Sequence, residues 1–134
     1  MAAVQVGAAR LRIGSEEAAI ALFAADFCGL AREALHVALL DDERGLIARR
    51  VFHSAYGHAV DFPLRAIIRD ALTLDAAGMV IAHNHPSGDP SPSRADLLAT
   101  RTLVDLTRPL GIRVHDHLIF GGDSTRSLSG MGLL

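Results

Sequence analysis

The sequence contains very little cysteine. Cys28 is the only one among 134 residues, so no disulfide can form within the chain, and metal sites built from several thiolates are excluded. A zinc nucleobase deaminase is excluded for the same reason, because its metal site needs a pair of cysteines. Any metal ion held by this chain must therefore use histidine and carboxylate ligands.

Aromatic residues and long apolar runs are also scarce. Aromatics make up 4% of the residues and hydrophobic residues 50%, so the core must be largely aliphatic. No apolar run reaches the roughly 20 residues that a membrane-spanning helix needs. Residues 1–9 lack the basic start of a signal peptide. We therefore expect a cytoplasmic protein with no membrane partner.

An excess of positive charge is missing as well. Thirteen basic residues against 15 acidic ones give a formal net charge of −2, which does not provide the field that attracts a phosphate backbone. Direct nucleic-acid binding is therefore disfavoured. A chain of 134 residues fits one domain, and we expect a loosely ordered lead-in over residues 1–14 and a single domain over residues 15–134.

The apolar pattern along the chain predicts alternating helices and strands. It indicates a helix, a hairpin of two strands, a helix, a strand, a helix and a strand, over residues 15–28, 33–40, 46–52, 63–72, 79–82, 93–108 and 112–120. This order is typical of an α/β fold with a mixed sheet.

The run from His83 to Asp96 carries the residues best suited to chemistry. His83 and His85 lie two apart at the end of a predicted strand, so both imidazoles share one face of the sheet. Asp96 lies in the first turn of the next helix, and a proline-rich loop brings it back toward the histidines. Two imidazoles and one carboxylate are a usual ligand set for a catalytic zinc ion, which activates water for hydrolysis. The hydroxyl of Ser93 could hydrogen-bond a developing oxyanion.

Structural roles explain parts of the same run. Ser93 and Asp96 also form a helix start, with the serine as N-cap and an acid in the first turn. A pair of histidines two apart is more often structural than metal-binding. Ordinary half-buried or surface positions are expected for the remaining histidines, which are His36, His53, His58, His115 and His117.

The spacing of these residues resembles a known signature. His-x-His, seven residues, Ser, two residues, Asp is similar to the motif of the JAMM (MPN-plus) zinc metalloproteases, with His83, His85, Ser93 and Asp96 at the matching positions. The run His83–Asp89 resembles the RadC-like branch of JAB domains. The resemblance implies a JAMM/MPN (cytidine deaminase-like) α-β-α sandwich, zinc bound by His83, His85 and Asp96, and Ser93 as oxyanion helper. It also implies a peptide or protein substrate cleaved at an amide or isopeptide bond, and a link to DNA repair through the family's name.

The resemblance further implies a glutamate that accepts a proton from the attacking water. Aligning the predicted hairpin with the family places this residue at Arg50, or at Arg49 if the register shifts by one. No acidic residue occurs from Arg44 to Val60. We therefore expect an arginine to face the metal in place of the base.

Three hypotheses follow from this arginine. The domain is an enzyme weakened by the missing base, an inactive domain that binds zinc, or a metal-free domain that recognises a protein partner. His53 or Asp61 could serve as a substitute base, and Asp89 or Asp61 could pair with the arginine. The sequence does not choose among these alternatives.

Overall fold

The computed structural model describes residues 9–53 and 62–134. In chain order its helices and strands are α1 (Glu16–Phe27), β1 (Ala34–Leu40), β2 (Leu46–His53), α2 (Leu64–Thr73), β3 (Gly78–Asn84), α3 (Arg94–Thr107), β4 (Arg113–Gly121) and β5 (Ser124–Ser127). The predictions for His58 and Asp61 lie outside the described residues. Within the described ranges, no helix combines the length and the apolar character needed to cross a bilayer.

The strands form one mixed sheet in the order β2-β1-β3-β4-β5. β1 pairs antiparallel with both β2 and β3, and β3 pairs parallel with β4. α3 connects the parallel pair, since parallel neighbours need a crossover connection. β1 and β3 lie in the middle of the sheet and are buried along their whole lengths, as the unalternated apolar runs predict.

Helices cover both faces of the sheet. α1 packs on one face through Phe23 and Phe27. α2 and α3 pack on the other face through Ile67 and Leu103. Successive strand side chains point to opposite faces, so β1 and β3 contribute to both apolar clusters. The predicted α/β fold with a mixed sheet and an α-β-α arrangement is confirmed.

The segment before α1 is more closely packed than the sequence predicts. Ile13 is 3% exposed, and its N–H donates to the carbonyl of Arg44 at 2.9 Å. The N–H of Leu46 donates to the carbonyl of Leu11 at 2.7 Å. Residues 11–13 therefore pack on the turn between β1 and β2, inside the range predicted to be a loose lead-in.

β5 is absent from the predicted elements. The sequence predicts no strand over these residues, because Ser-Thr-Arg-Ser has no apolar alternation. The segment nevertheless pairs antiparallel with β4, at one edge of the sheet. Backbone pairing at an edge needs no apolar side chains, so periodicity does not reveal it.

Candidate metal centre

The site lies at the carboxyl end of β3, beside the parallel strand β4. His83 is the second-last residue of β3, and the N–H of His85 donates to the carbonyl of Phe120 at 2.8 Å. The loop after His85 then leads into α3, whose third residue is Asp96. Crevices at the carboxyl ends of parallel strands are common ligand sites in α/β sheets.

The side chains of the three predicted ligands converge at this point. The Nε2 atoms of His83 and His85 are 2.9 Å apart. Asp96 Oδ1 lies 3.3 Å from His83 Nε2, and Asp96 Oδ2 lies 3.1 Å from His85 Nε2. His83 is buried, while His85 and Asp96 are partly exposed. The fold thus brings His83, His85 and Asp96 together around one small volume.

The outer ring nitrogens of both histidines have other partners. His85 Nδ1 lies 2.9 Å from the carbonyl oxygen of Asp89. A carbonyl oxygen only accepts, so Nδ1 of His85 carries a proton, and in the neutral ring Nε2 then holds the lone pair on the side of His83 and Asp96. His83 Nδ1 lies 2.7 Å from Nε2 of His117. The contacts of the two Nδ1 atoms therefore fix the orientation of both imidazoles, and both Nε2 atoms point into the site.

Asp96 is ionised in this environment. Burial acts to raise the pKa of Asp96, but the contacts with the neighbouring His83 and Ser93 hold that pKa well below its usual range. Asp96 also completes the start of α3, because its Oδ2 accepts from the N–H of Ser93 at 2.8 Å. One carboxylate therefore serves both the helix cap and the histidines.

Ser93 is the N-cap of α3. Its Oγ accepts from the N–H of Asp96 at 3.0 Å, which forms a reciprocal capping box with the Asp96 side chain. The capping hypothesis for this pair is thus confirmed. It does not compete with the ligand hypothesis, because Oδ1 of Asp96 still faces His83.

Glu33 is the acidic residue that the sequence reasoning missed. It immediately precedes β1, and its Oε1 lies 4.0 Å from His83 Nε2. Ligand atoms of Glu33, His83 and His85 all lie within 4.8 Å of one another. The carboxylate of Glu33 is partly buried, with a side-chain exposure of 15%. Asp96 approaches the histidines more closely, so Glu33 is the outer of the two acids.

The strand order explains why Glu33 and not a residue of β2 reaches the site. β1 lies between β2 and β3, and Leu35 is the register partner of His83. The residues just before β1 therefore adjoin the histidines directly. The available sequence signal was an acid at the start of a mostly apolar strand, where a buried carboxylate is costly unless it has a partner or a function.

The predicted placement of an arginine beside the histidines is wrong. Arg49 points to the α1 face, where it pairs with Asp26 and lies 5.3 Å from the ring centroid of Phe23. Arg50 pairs with Asp70 of α2 at 3.4 Å. β2 is an edge strand. Its two arginines therefore form ion pairs with the helices α1 and α2 instead of reaching the histidines.

His117 is a second residue that the sequence did not single out. It is fully buried on β4, in contact with His83 and with Thr100 of α3. Burial lowers the pKa of His117 to about 3, assisted by His83 and His85 and opposed by Asp96. The ring is therefore neutral near pH 7.

The loop that holds His85 is packed directly on the backbone of β4. A Cβ at Gly121 would lie 2.7 Å from the nitrogen of Pro90 and 2.8 Å from the carbonyl oxygen of Gly88. Contacts this short leave no room for a side chain. Only glycine at this position allows the loop, and with it the carbonyl of Asp89, to reach His85.

We expect Gly121→Ala to lower the free energy of unfolding by about 1–3 kcal/mol, because the added methyl group must displace backbone atoms. It should also weaken metal binding, since the loop carries the Asp89 carbonyl. Urea denaturation checks the first effect. Gly14→Ala is the control, because its Cβ would meet only the Arg12 side chain, at 3.6 Å or more. Equal losses in the two variants would contradict the packing explanation.

A comparison with protein families agrees with this geometry. The family model described as the RadC-like JAB domain matches residues 13–133. The chain belongs to the RadC-like JAB domain family. The match includes Glu33, the run from His83 to Asp96, and His117, so the whole candidate site lies within the family's domain. The resemblance stated from the sequence is confirmed, and the mixed-sheet α-β-α architecture is that of a JAMM-related fold.

Proposed function

We propose that this RadC-like JAB domain is a zinc-dependent hydrolase of the metallopeptidase type, acting on an amide or isopeptide bond. His83, His85 and Asp96 are the proposed zinc ligands, and Glu33 is the proposed proton acceptor. The observation that carries the proposal is the convergence of two Nε2 lone pairs and a carboxylate within 2.9–3.3 Å of one another.

The donor set fits zinc. A tetrahedral ion with bonds of about 2.0–2.1 Å holds its ligand atoms roughly 3.3 Å apart, close to the separations among His83, His85 and Asp96. Two imidazoles also favour zinc over magnesium or calcium, which prefer oxygen ligands. Two lone pairs facing each other at 2.9 Å repel unless a cation or a proton lies between them.

The residues around the ligands supply the remaining chemistry. Zinc, when bound, lowers the pKa of a water molecule and polarises a carbonyl group. Oε1 of Glu33 lies 4.0 Å from His83 Nε2, which is too far for a direct hydrogen bond but close enough to the proposed zinc position to accept from a water molecule held there. Its carboxylate can therefore take a proton from that water and return it to the leaving amine.

Ser93 is the proposed donor to the oxyanion. Its oxygen accepts from the N–H of Asp96, and this bond fixes the position of the hydroxyl at the start of α3. A hydroxyl has one proton and two lone pairs. Accepting from the Asp96 N–H does not use the hydroxyl proton, so Ser93 can turn this proton from the Asp96 carboxylate toward a developing negative charge on the substrate.

A groove beside His85 supports a polymeric substrate. Its volume is about 510 Å³, and Phe27, Leu30 and Phe120 form an apolar part of its wall. His85, Pro86 and Gly88 also line the groove. A groove of this kind can hold a peptide segment while the bond to be cleaved lies near His85.

The alternative is an inactive zinc-binding or metal-free domain that recognises a protein partner. This hypothesis arose because an arginine was expected at the position of the glutamate that accepts a proton from water. Arg49 and Arg50 instead pair with Asp26 and Asp70, and Glu33 lies beside the histidines. No contact within residues 9–53 and 62–134 favours this alternative over the hydrolase.

Metal content tests the proposed ligands. Protein purified without added zinc should contain about one zinc ion per chain by elemental mass spectrometry, as expected for a single site. His83→Ala should contain almost none. Asp96→Asn should also lose zinc, yet keep the helix cap, because an amide oxygen can still accept from the N–H of Ser93. His53→Ala, at the exposed end of β2, is the control. A parent protein that takes up no zinc would overturn the assignment.

A further inference from the structure

His117 connects a proposed ligand to the helix that carries another. It is 0% exposed. Its Nε2 lies 2.7 Å from His83 Nδ1, and its Nδ1 lies 2.6 Å from Oγ1 of Thr100. Both ring nitrogens are therefore within hydrogen-bond distance of one partner each.

The direction of these hydrogen bonds follows from the partner of Thr100. The hydroxyl of Thr100 donates to the carbonyl oxygen of Asp96 at 2.7 Å. A hydroxyl has a single proton, so Oγ1 of Thr100 must accept from Nδ1–H of His117. A neutral imidazole that donates through one nitrogen accepts through the other. Nε2 of His117 therefore accepts from Nδ1–H of His83.

We propose that His117 and Thr100 are positioning residues that hold His83 in its Nδ1–H tautomer, with the Nε2 lone pair directed at His85 and Asp96. The functional role of this arrangement rests on the proposed zinc site. The Nδ1–H tautomer of His83 follows from the hydrogen bonds alone and requires no bound metal. Thr100 lies one helical turn after Asp96 on α3. The same helix thus places the carboxylate and, through two hydrogen bonds, the imidazole facing it.

The opposite direction of the hydrogen bonds gives a distinct state. If Thr100 donated to His117, then His117 would donate to Nδ1 of His83, and His83 would carry its proton on Nε2. An Nε2–H group cannot bind a metal ion, because it has no lone pair available. The two directions therefore predict opposite tautomers of His83.

Nitrogen-15 NMR distinguishes these tautomers directly. Long-range ¹H–¹⁵N spectra of the chelator-treated full chain, at about pH 8 where ordinary imidazoles are neutral, should show His83 and His117 protonated on Nδ1. Assignment of the signals uses His83→Ala and His117→Gln. A parent protein whose His83 carries no proton on Nδ1 would overturn the proposal. Because the sample is metal-free, this outcome is separate from any failure to bind zinc.

Two substitutions of Thr100 test the positioning role. Thr100→Val keeps the branched shape but removes the hydroxyl, so His117 loses the acceptor that sets its tautomer. We expect a mixture of His83 tautomers and a zinc dissociation constant raised about 10–100-fold, the usual effect of losing an outer partner of a ligand. Thr100→Ser restores the hydroxyl and should restore both properties. Zinc affinity is measured by competition with a chromophoric chelator.

The possible results separate the two proposals. An unchanged zinc affinity and an unchanged His83 tautomer in Thr100→Val would overturn the positioning role. A parent that binds no zinc but shows the expected tautomers would overturn the zinc site and leave the hydrogen-bonded chain supported. If Thr100→Val does not fold, the tautomer of His83 in the parent still decides the direction of the chain.

Discussion

Replacing Glu33 with glutamine should lower the rate of hydrolysis by about 10²–10⁴-fold, the usual contribution of a general base, while zinc content stays unchanged. Glutamine has nearly the shape of glutamate but cannot accept a proton from water. Oε1 of Glu33 lies farther from the histidines than either oxygen of Asp96. The substitution therefore removes the proton acceptor and leaves the proposed ligands in place.

The measurement begins with the zinc-loaded parent protein. A library of fluorescence-quenched peptides, with a matching set of lysine-linked isopeptides, identifies a cleaved bond, and kcat is then compared for Glu33→Gln. Glu43→Gln, in the exposed turn after β1, is the control and should keep the parental rate. Equal rates in the parent and in Glu33→Gln would exclude Glu33 as the base. A parent that retains zinc but cleaves no member of either set would argue against the hydrolase.

Asp116→Ala should lower the free energy of unfolding by about 3–5 kcal/mol, because it leaves buried donors without acceptors. Asp116 is 8% exposed. Its Oδ1 accepts from the N–H groups of His117 and Ser129 at 2.8 and 3.0 Å, and its Oδ2 accepts from the hydroxyl of Ser127. One carboxylate thus joins β4 to the end of β5 and the turn that follows.

Urea denaturation followed by circular dichroism measures this loss. Asp105→Ala is the matched control, because Asp105 is an exposed residue of α3 that only approaches Arg108 at 4.0 Å. Exposed ion pairs contribute little, so the control should lose less than about 1 kcal/mol. A comparably small loss in Asp116→Ala would show that the buried donors find other partners. The substitution also removes the acceptor of the His117 N–H. A resulting shift of His117 would be measured separately, as weaker zinc binding.

Local patterns in the sequence predicted most of the elements. Ser93 caps the helix that it was expected to cap, and the apolar runs of β1 and β3 are buried on both faces. Apolar periodicity and capping act over a few residues, so they can be read without knowing the fold. β5 was missed because a short polar edge strand has no such pattern.

The sequence by itself determined the grouping of His83, His85 and Asp96, since a short stiff loop and a helix start bring residues close in the chain close in space. Only the tertiary structure decided which acid joins them. Glu33 lies fifty residues before His83 along the chain, and it adjoins the site because β1, and not β2, pairs with β3. His117 reaches His83 through the parallel pairing of β3 and β4. Strand order follows from the packing of the whole sheet, so no local spacing reveals these two residues.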